Sequence, residues 1–215
     1  MTSHGSARPG GFSDPGNCHR IALAVHDFDG ALAQWRRVFG AGVMLDAVHD
    51  DLDGSDMEIV WLGDVPFLAL AASGPDGVVG RWLAKHGPGV QSLAWEVPDM
   101  WSAQNHRQQA GIGITGVHIE GRHFFMHPRD TYGLMLELTD DRLDNDPRNG
   151  GSPTGGGDGL VQVARVAHVT AVVVDLAAAP EALAAAGIGI AREDQGTLWL
   201  DPTDTFGLRL QLVDA

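Results

Sequence analysis

The sequence predicts an α+β protein assembled from repeated strand-helix-sheet units, and three observations carry that reading. The stretches Phe125 to Leu138 and Trp199 to Leu212 share an apolar strand, then Pro-x-Asp-Thr-aromatic-Gly, then alternating apolar and variable residues. Pro and Gly fix a turn and a period of two marks a return strand, so each copy reads as a hairpin. Upstream, Gln109-Ala110-Gly111-Ile112-Gly113-Ile114 reappears as Ala185-Ala186-Gly187-Ile188-Gly189-Ile190, and Leu93 to Asp99 answers to Val169 to Asp175. The front of the chain holds a third copy, in which Ile21 to Asp27 is an apolar strand ending in the same Asp.

Each unit is then justified in order. Residues 1–16 are polar and rich in Gly and Pro, which predicts a flexible tail. The first unit starts at Cys18. Phe28 to Phe39 carries apolar residues at helical spacing and Gly40 closes the helix. Met57 to Leu62 and Phe67 to Leu70 supply later strands. A connector with a short helix, Val79 to His86, leads into the second unit, Val90 to Asp140, so that residues 17–140 form one two-unit domain. Residues 141–159, which include Asn149-Gly150-Gly151-Ser152-Pro153-Thr154-Gly155-Gly156-Gly157, have the composition of a flexible linker. Residues 160–215 make an extra single unit, whose helix, Leu176 to Ala186, is mostly alanine and leucine.

Composition narrows the function classes. The 215 residues are 44% hydrophobic, enough for a sizeable core. Fourteen basic against 28 acidic residues argue against nucleic acid or an anionic membrane as partner. The lone cysteine, Cys18, excludes an intrachain disulfide and reads as a packed thiol at a strand start. No apolar run approaches a membrane span and residues 1–16 lack the apolar core of a signal peptide, so the expected location is cytoplasmic. His118-Ile119-Glu120-Gly121-Arg122-His123 alternates polar residues as a solvated hairpin edge does.

The motifs Arg81-Trp82-Leu83-Ala84-Lys85-His86-Gly87-Pro88-Gly89-Val90, Ala94-Trp95-Glu96-Val97, Phe125-Met126-His127-Pro128 and Leu136-Glu137-Leu138-Thr139, set on paired strand-helix-strand-strand-strand units, resemble the vicinal oxygen chelate superfamily. That superfamily includes glyoxalases, bleomycin-resistance proteins, extradiol dioxygenases and methylmalonyl-CoA epimerase, and these motifs are most similar to the epimerase. The resemblance implies paired βαβββ units forming a curved half-barrel around a cleft. It also implies a divalent metal held by one residue from the first and one from the last strand of each unit.

The ligand on each first strand would stand seven residues before the strand-ending Asp, which is Arg20 in the first unit and Ser92 in the second. On the last strands the matching positions are Leu68 and Glu137. Only Glu137 is a metal donor of the expected kind, so no metal is expected in the first domain and no cofactor is called for. His19 lies one residue out of register, and a one-residue slip turns a strand side chain to the other face. A guanidinium can bridge a carboxylate and still present donors, so Arg20 facing Glu137 stands in for the ion's charge. Glu58 occupies the place of the proton-abstracting carboxylate that the resemblance implies. Trp61, Trp95, Ser92 and Leu68 are the candidate ligand-lining residues.

The leading reading is therefore an isomerase, epimerase or lyase-like enzyme that abstracts a proton next to a carbonyl, with Glu58, Glu137 and Arg20 as its catalytic set. Two others stay open: a metal-free ligand-sequestering protein of the bleomycin-resistance kind, and an inactive structural or regulatory module. The partner is a small molecule in the first two readings. The extra unit has no second unit to cover its sheet face, which predicts a homodimer. There His168 and Gln211, the ligand-register pair of that unit, are weak candidates for a divalent ion held across the dimer.

Overall fold

The computed structural model describes residues 18–51, 54–116, 123–131, 134–161, 163, 165, 167–173, 175–185, 187–201 and 210–214. The first unit contains β1 (Cys18–Val25), α1 (Phe28–Phe39), β2 (Gly42–Asp50), β3 (Ser55–Leu62) and β4 (Val65–Ala72), followed by a connecting helix, α2 (Val78–His86). The second contains β5 (Gly89–Glu96), α3 (Met100–Gln109), β6 (Ile114–Thr115), β7 (His123–Met126) and β8 (Leu136–Thr139). The third contains β9 (Val169–Val173), α4 (Ala179–Ala185), β10 (Ile190–Asp194), β11 (Thr197–Leu200) and β12 (Leu210–Asp214). Tail residues 1–16, Tyr132-Gly133 of the first hairpin turn, Pro202 to Gly207 of the second, and His118 to Arg122 lie outside the described residues.

The helices begin and end where their caps dictate. Asp27 accepts a hydrogen bond from the Gly30 N–H at 2.9 Å and Asp99 one from the Ser102 N–H at 2.6 Å, so the Asp that closes each strand also opens the next helix. Gly40 stops α1 in the left-handed region, φ 67°, and returns its N–H to the Arg36 carbonyl at 3.0 Å. Leu32 of α1 packs with Ala41, Val60 and Ala69, and Met100 of α3 with Leu93, Trp95, Phe124 and Leu138. Each such leucine or methionine contributes about 1.5–3 kcal/mol by leaving water.

The eight strands of the first two units form one open sheet in the order β2-β3-β4-β1-β5-β8-β7-β6. This corrects the expected half-barrel. β1 and β5 pair antiparallel at the centre, so the two four-stranded halves run on from edge to edge, and the outer strands β2 and β6 have no pairing with each other. The third unit is a separate four-stranded sheet, β10-β11-β12-β9, which matches the predicted strand-helix-sheet repeat.

Register assigns side chains to the two faces of the large sheet. Glu137 is in register with Ala94, Ala94 with Arg20, Ala22 with both Ser92 and Leu68, and Leu68 with Ile59, so all of these share one face. The opposite face carries Ile21, Leu93, Trp95, Glu58 and Ala69 and is covered by α1 and α3. On the first face α2 contributes Val79 and Leu83 to a core with Ala22, Ala24, Ile59, Leu68 and Leu70.

Residues 141–159, whose composition suggests a flexible linker, lie together with Leu160 and Val161 against the two-unit domain as a strap. Leu143 joins the α2-face core, the Asn145 side-chain amide donates to the Met44 carbonyl at 3.3 Å, and Thr154 exchanges backbone hydrogen bonds of 2.7 and 2.9 Å with Val43. Val161 N–H donates to the Val38 carbonyl at 2.8 Å. The third unit then folds its own core, with Leu183 of α4 on Leu198, Leu200, Leu210 and Leu212, while Leu134 of the second unit packs against that cluster.

Candidate functional site

The site grows from a β-bulge at the start of β1. Cys18 is in register with Trp95 and Arg20 with Ala94, so His19 is an extra residue on β1. The bulge overrides the alternation that would send His19 to the other face. Arg20 Nη1 donates to His19 Nδ1 at 2.6 Å, and His19 is only 1% exposed. The sequence carries no signal for that bulge. Burial, reinforced by the charges of Arg20, Arg148 and Arg142, drives the His19 pKa down to about 2, so the ring is neutral. Burial also pushes the Cys18 thiol up to about 11, which leaves it protonated and no nucleophile at neutral pH.

Arg20 also forms an ion pair with Glu137, which is 1% exposed. Two groups beside this pair are incomplete: His19 Nε2 and Arg20 Nε are buried and have no hydrogen-bond partner. A buried polar group left in that state costs about 1–3 kcal/mol.

The strap closes the same face with charges of both signs. Arg142 Nη1 lies 2.5 Å from Glu96 Oε2, and Arg148 Nη2 lies 2.5 Å from Asp146 Oδ2 and 3.8 Å from Glu96 Oε1. Arg148 Nη1 donates to the Cys18 carbonyl at 2.7 Å, and its guanidinium stands 5.7 Å from the Trp61 ring centroid. Burial by itself would raise the Asp146 carboxyl, but the side-chain and backbone hydrogen bonds from Arg148 together hold it below the usual carboxylate range. Sequence reasoning missed Glu96, Arg142, Asp146 and Arg148, because nothing in a Gly- and Pro-rich run marks where it docks.

Of the residues singled out from sequence, Arg20, Glu137, Ser92, Leu68 and Trp61 share the site face. Trp95 is in the opposite core with Met100 and Phe124. Glu58 also lies on the opposite face, in an ion pair with Arg36 of α1, so the sheet separates it from Glu137. This corrects the expectation that these two carboxylates act across one cleft. The parity of β3 decides it: Ile59, not Glu58, is in register with Leu68.

The four ligand-register positions do not fit a divalent ion. Arg20 puts a cation in one place and bonds the carboxylate of another, Leu68 offers no donor, and Ser92 is a neutral hydroxyl. Among the described residues no group of three or more His, Cys, Asp or Glu is placed to hold a metal. In the third unit His168 packs edge-on to Trp199 with centroids 4.8 Å apart, Arg192 covers Trp199 at 4.7 Å, and Gln211 accepts from Thr170 at 2.8 Å. No helix among the described residues is long and apolar enough to cross a membrane.

Two βαβββ units joined edge to edge, with their first- and last-strand positions meeting on one face, are the repeats typical of the vicinal oxygen chelate fold. Residues 19–125, just under half of the chain, match the model of the glyoxalase/bleomycin resistance protein/dioxygenase superfamily. It is 28% identical over 131 residues to an ethylmalonyl-CoA/methylmalonyl-CoA epimerase of Cereibacter sphaeroides, a match spanning 57% of this chain and 96% of that protein. Its fold is similar to that of Streptomyces coelicolor methylmalonyl-CoA epimerase in complex with 2-nitronate-propionyl-CoA, with TM-score 0.53 and 24% identity over 58% of this chain and 96% of the other. Methylmalonyl-CoA epimerase from Mycobacterium tuberculosis matches with TM-score 0.53 and 20% identity, covering 62% of this chain and 91% of the other.

Proposed function

We propose that the two-unit domain is an acid–base enzyme of the epimerase and isomerase kind that removes a proton from a carbon next to a carbonyl without a metal. The observation that carries this is the buried Arg20–Glu137 ion pair, set where two ligand positions of the fold face each other. In this reading Glu137 takes the proton, and the C–H electron pair moves into the enolate. Arg20 stabilises the charge that develops on the carbonyl oxygen. Return of a solvent-exchanged proton from Glu137 to the same face completes isotope exchange at that carbon, and inversion calls for delivery of a proton to the opposite face. Exclusion of water strengthens both interactions.

Glu58 has no part in this scheme. The relatives named as ethylmalonyl-CoA and methylmalonyl-CoA epimerases make branched acyl thioesters the first substrates to test. The experiment is solvent-deuterium incorporation into acyl-CoA thioesters and 2-oxo acids by metal-free protein, read by mass spectrometry. Incorporation that Glu137→Gln abolishes is the expected result. No incorporation by the native protein, or equal incorporation by Glu137→Gln, removes the proposal.

One observation favours a second reading, that of a ligand-sequestering protein. The strap places Leu143 and Arg148 on the site face. That protein would bind a small molecule tightly and exchange no deuterium. For assembly we propose a homodimer through the third unit, whose sheet leaves Val172 67% exposed. A monomer in sedimentation equilibrium would remove it.

A further inference from the structure

The reaction scheme above leaves part of the site unused. A guanidinium can only donate, so the 2.6 Å contact between Arg20 Nη1 and His19 Nδ1 makes Nδ1 the acceptor. The neutral ring therefore carries its hydrogen on Nε2. His19 Nε2–H and Arg20 Nε–H are then two buried donors on adjacent residues, and neither meets an acceptor. The neighbouring carboxylates are already engaged: Glu137 with Arg20, Glu96 with Arg142, and Asp146 with Arg148. The charges of Arg20, Arg148 and Arg142 also bear on the His19 ring, adding to the burial that chiefly depresses its proton affinity. Such charges favour an incoming negative charge.

We propose that His19 Nε2–H and Arg20 Nε–H are recognition donors for an oxygen acceptor of the ligand, the carboxylate or enolate oxygen of a small organic acid. The proposal rests on the Arg20–Glu137 site being ligand-binding and is independent of any proton transfer there. It also selects between ligand classes. A cationic compound brings no acceptor and leaves both donors unmet, whereas an oxyanion satisfies them with charge-assisted hydrogen bonds.

The test uses the full chain with 15N-labelled histidine, oxalate as the probe and methylguanidinium as the cationic control. Long-range 15N–1H correlation is expected to show His19 as the Nε2–H tautomer, with a proton shift that saturates on adding oxalate and does not respond to methylguanidinium. His19→Phe and Arg20→Lys are each expected to weaken oxalate binding about tenfold or more. His19→Gln, which keeps an N–H donor on a side chain that folds in a similar space, is expected to restore most of the affinity. The proposal is overturned by the Nδ1–H tautomer, by oxalate affinity unchanged in His19→Phe, or by no saturable binding, which would assign the donors to an internal water. Loss of deuterium exchange with oxalate binding intact would sink Glu137 as base and leave this inference standing.

Discussion

Arg20 on β1 and Glu137 on β8 meet across the intervening strand β5, above Ala94, the residue in register with both. Ala94 is 1% exposed, and its methyl group lies beneath the joined guanidinium and carboxylate. Ala94→Leu is expected to lower stability by about 1–3 kcal/mol, through forced repacking. Ala84→Leu, on the exposed flank of α2, should stay within about 0.5 kcal/mol of native. Denaturant midpoints for the two variants give the comparison.

Removing one partner of the pair is costlier than wedging it apart. Arg20→Ala leaves Glu137 buried without its counter-charge, and about 3–5 kcal/mol of stability should go with it. Arg20→Lys keeps the charge but loses the planar fork, so it should fall between native and Arg20→Ala. Urea unfolding that ranks Lys below Ala would contradict this geometry.

The two acidic strand residues should separate cleanly in function. Glu137→Gln is expected to abolish deuterium incorporation, while Glu58→Gln, changed on the face covered by α1, should keep it within a factor of a few. A comparable loss in both variants would mean that the sheet does not divide them functionally.

His19 gives the protein a definite acid sensitivity. Its folded pKa, about 2, lies below the unfolded value of 6.5, so the unfolded chain binds one more proton between those values. The neutral ring's contribution is complete above 6.5 and shrinks as pH falls, by about 1.4 kcal/mol per pH unit. His19→Gln removes that slope. Stability measured from pH 7 to 4.5 should therefore decline less steeply in the variant.

The strap is held by charges and should loosen when they are removed. Arg148→Ala is expected to raise backbone amide exchange across residues 141–151 and to leave β3 and β4 protected. Acid should act the same way through Asp146. Its folded pKa is depressed, so its contribution is present above the ordinary carboxylate value and lost as pH falls through the folded one. Hydrogen exchange at neutral pH that is identical in Arg148→Ala and native protein would show that the arginine does not anchor the segment.

Much of this architecture was readable because it rests on local rules. The Asp that ends a strand and caps the next helix, the glycine that stops α1, and the repeated hairpin pattern each leave a mark in the sequence. So did the seven-residue spacing that set Arg20 against Glu137. A period of two assigns faces without saying how far a sheet bends, which is why the half-barrel was expected and an open sheet is observed. His19 was misplaced because one extra residue in β1 reverses the parity, and only the partner strand reveals it. Glu58 was misplaced because its role was borrowed from the resemblance rather than taken from the register of β3 with β4. The strap was hidden by its own composition: glycine and proline describe a chain's freedom before it finds a surface, and Leu143 and Arg148 supply that surface contact.

The course of residues 141–161 relocates the seam along which this chain can be divided. A cut after Asp140 would open a hole beside Ala22, Ile59 and Leu68, strip Glu96 of both arginines, and free the edge of β2 that Thr154 now pairs. A fragment of the first two units that keeps all of these contacts ends beyond Val161, whose N–H bonds the Val38 carbonyl. Exchange of the third unit for a foreign module would join there, and not in the glycine-rich run that looks at first like the hinge.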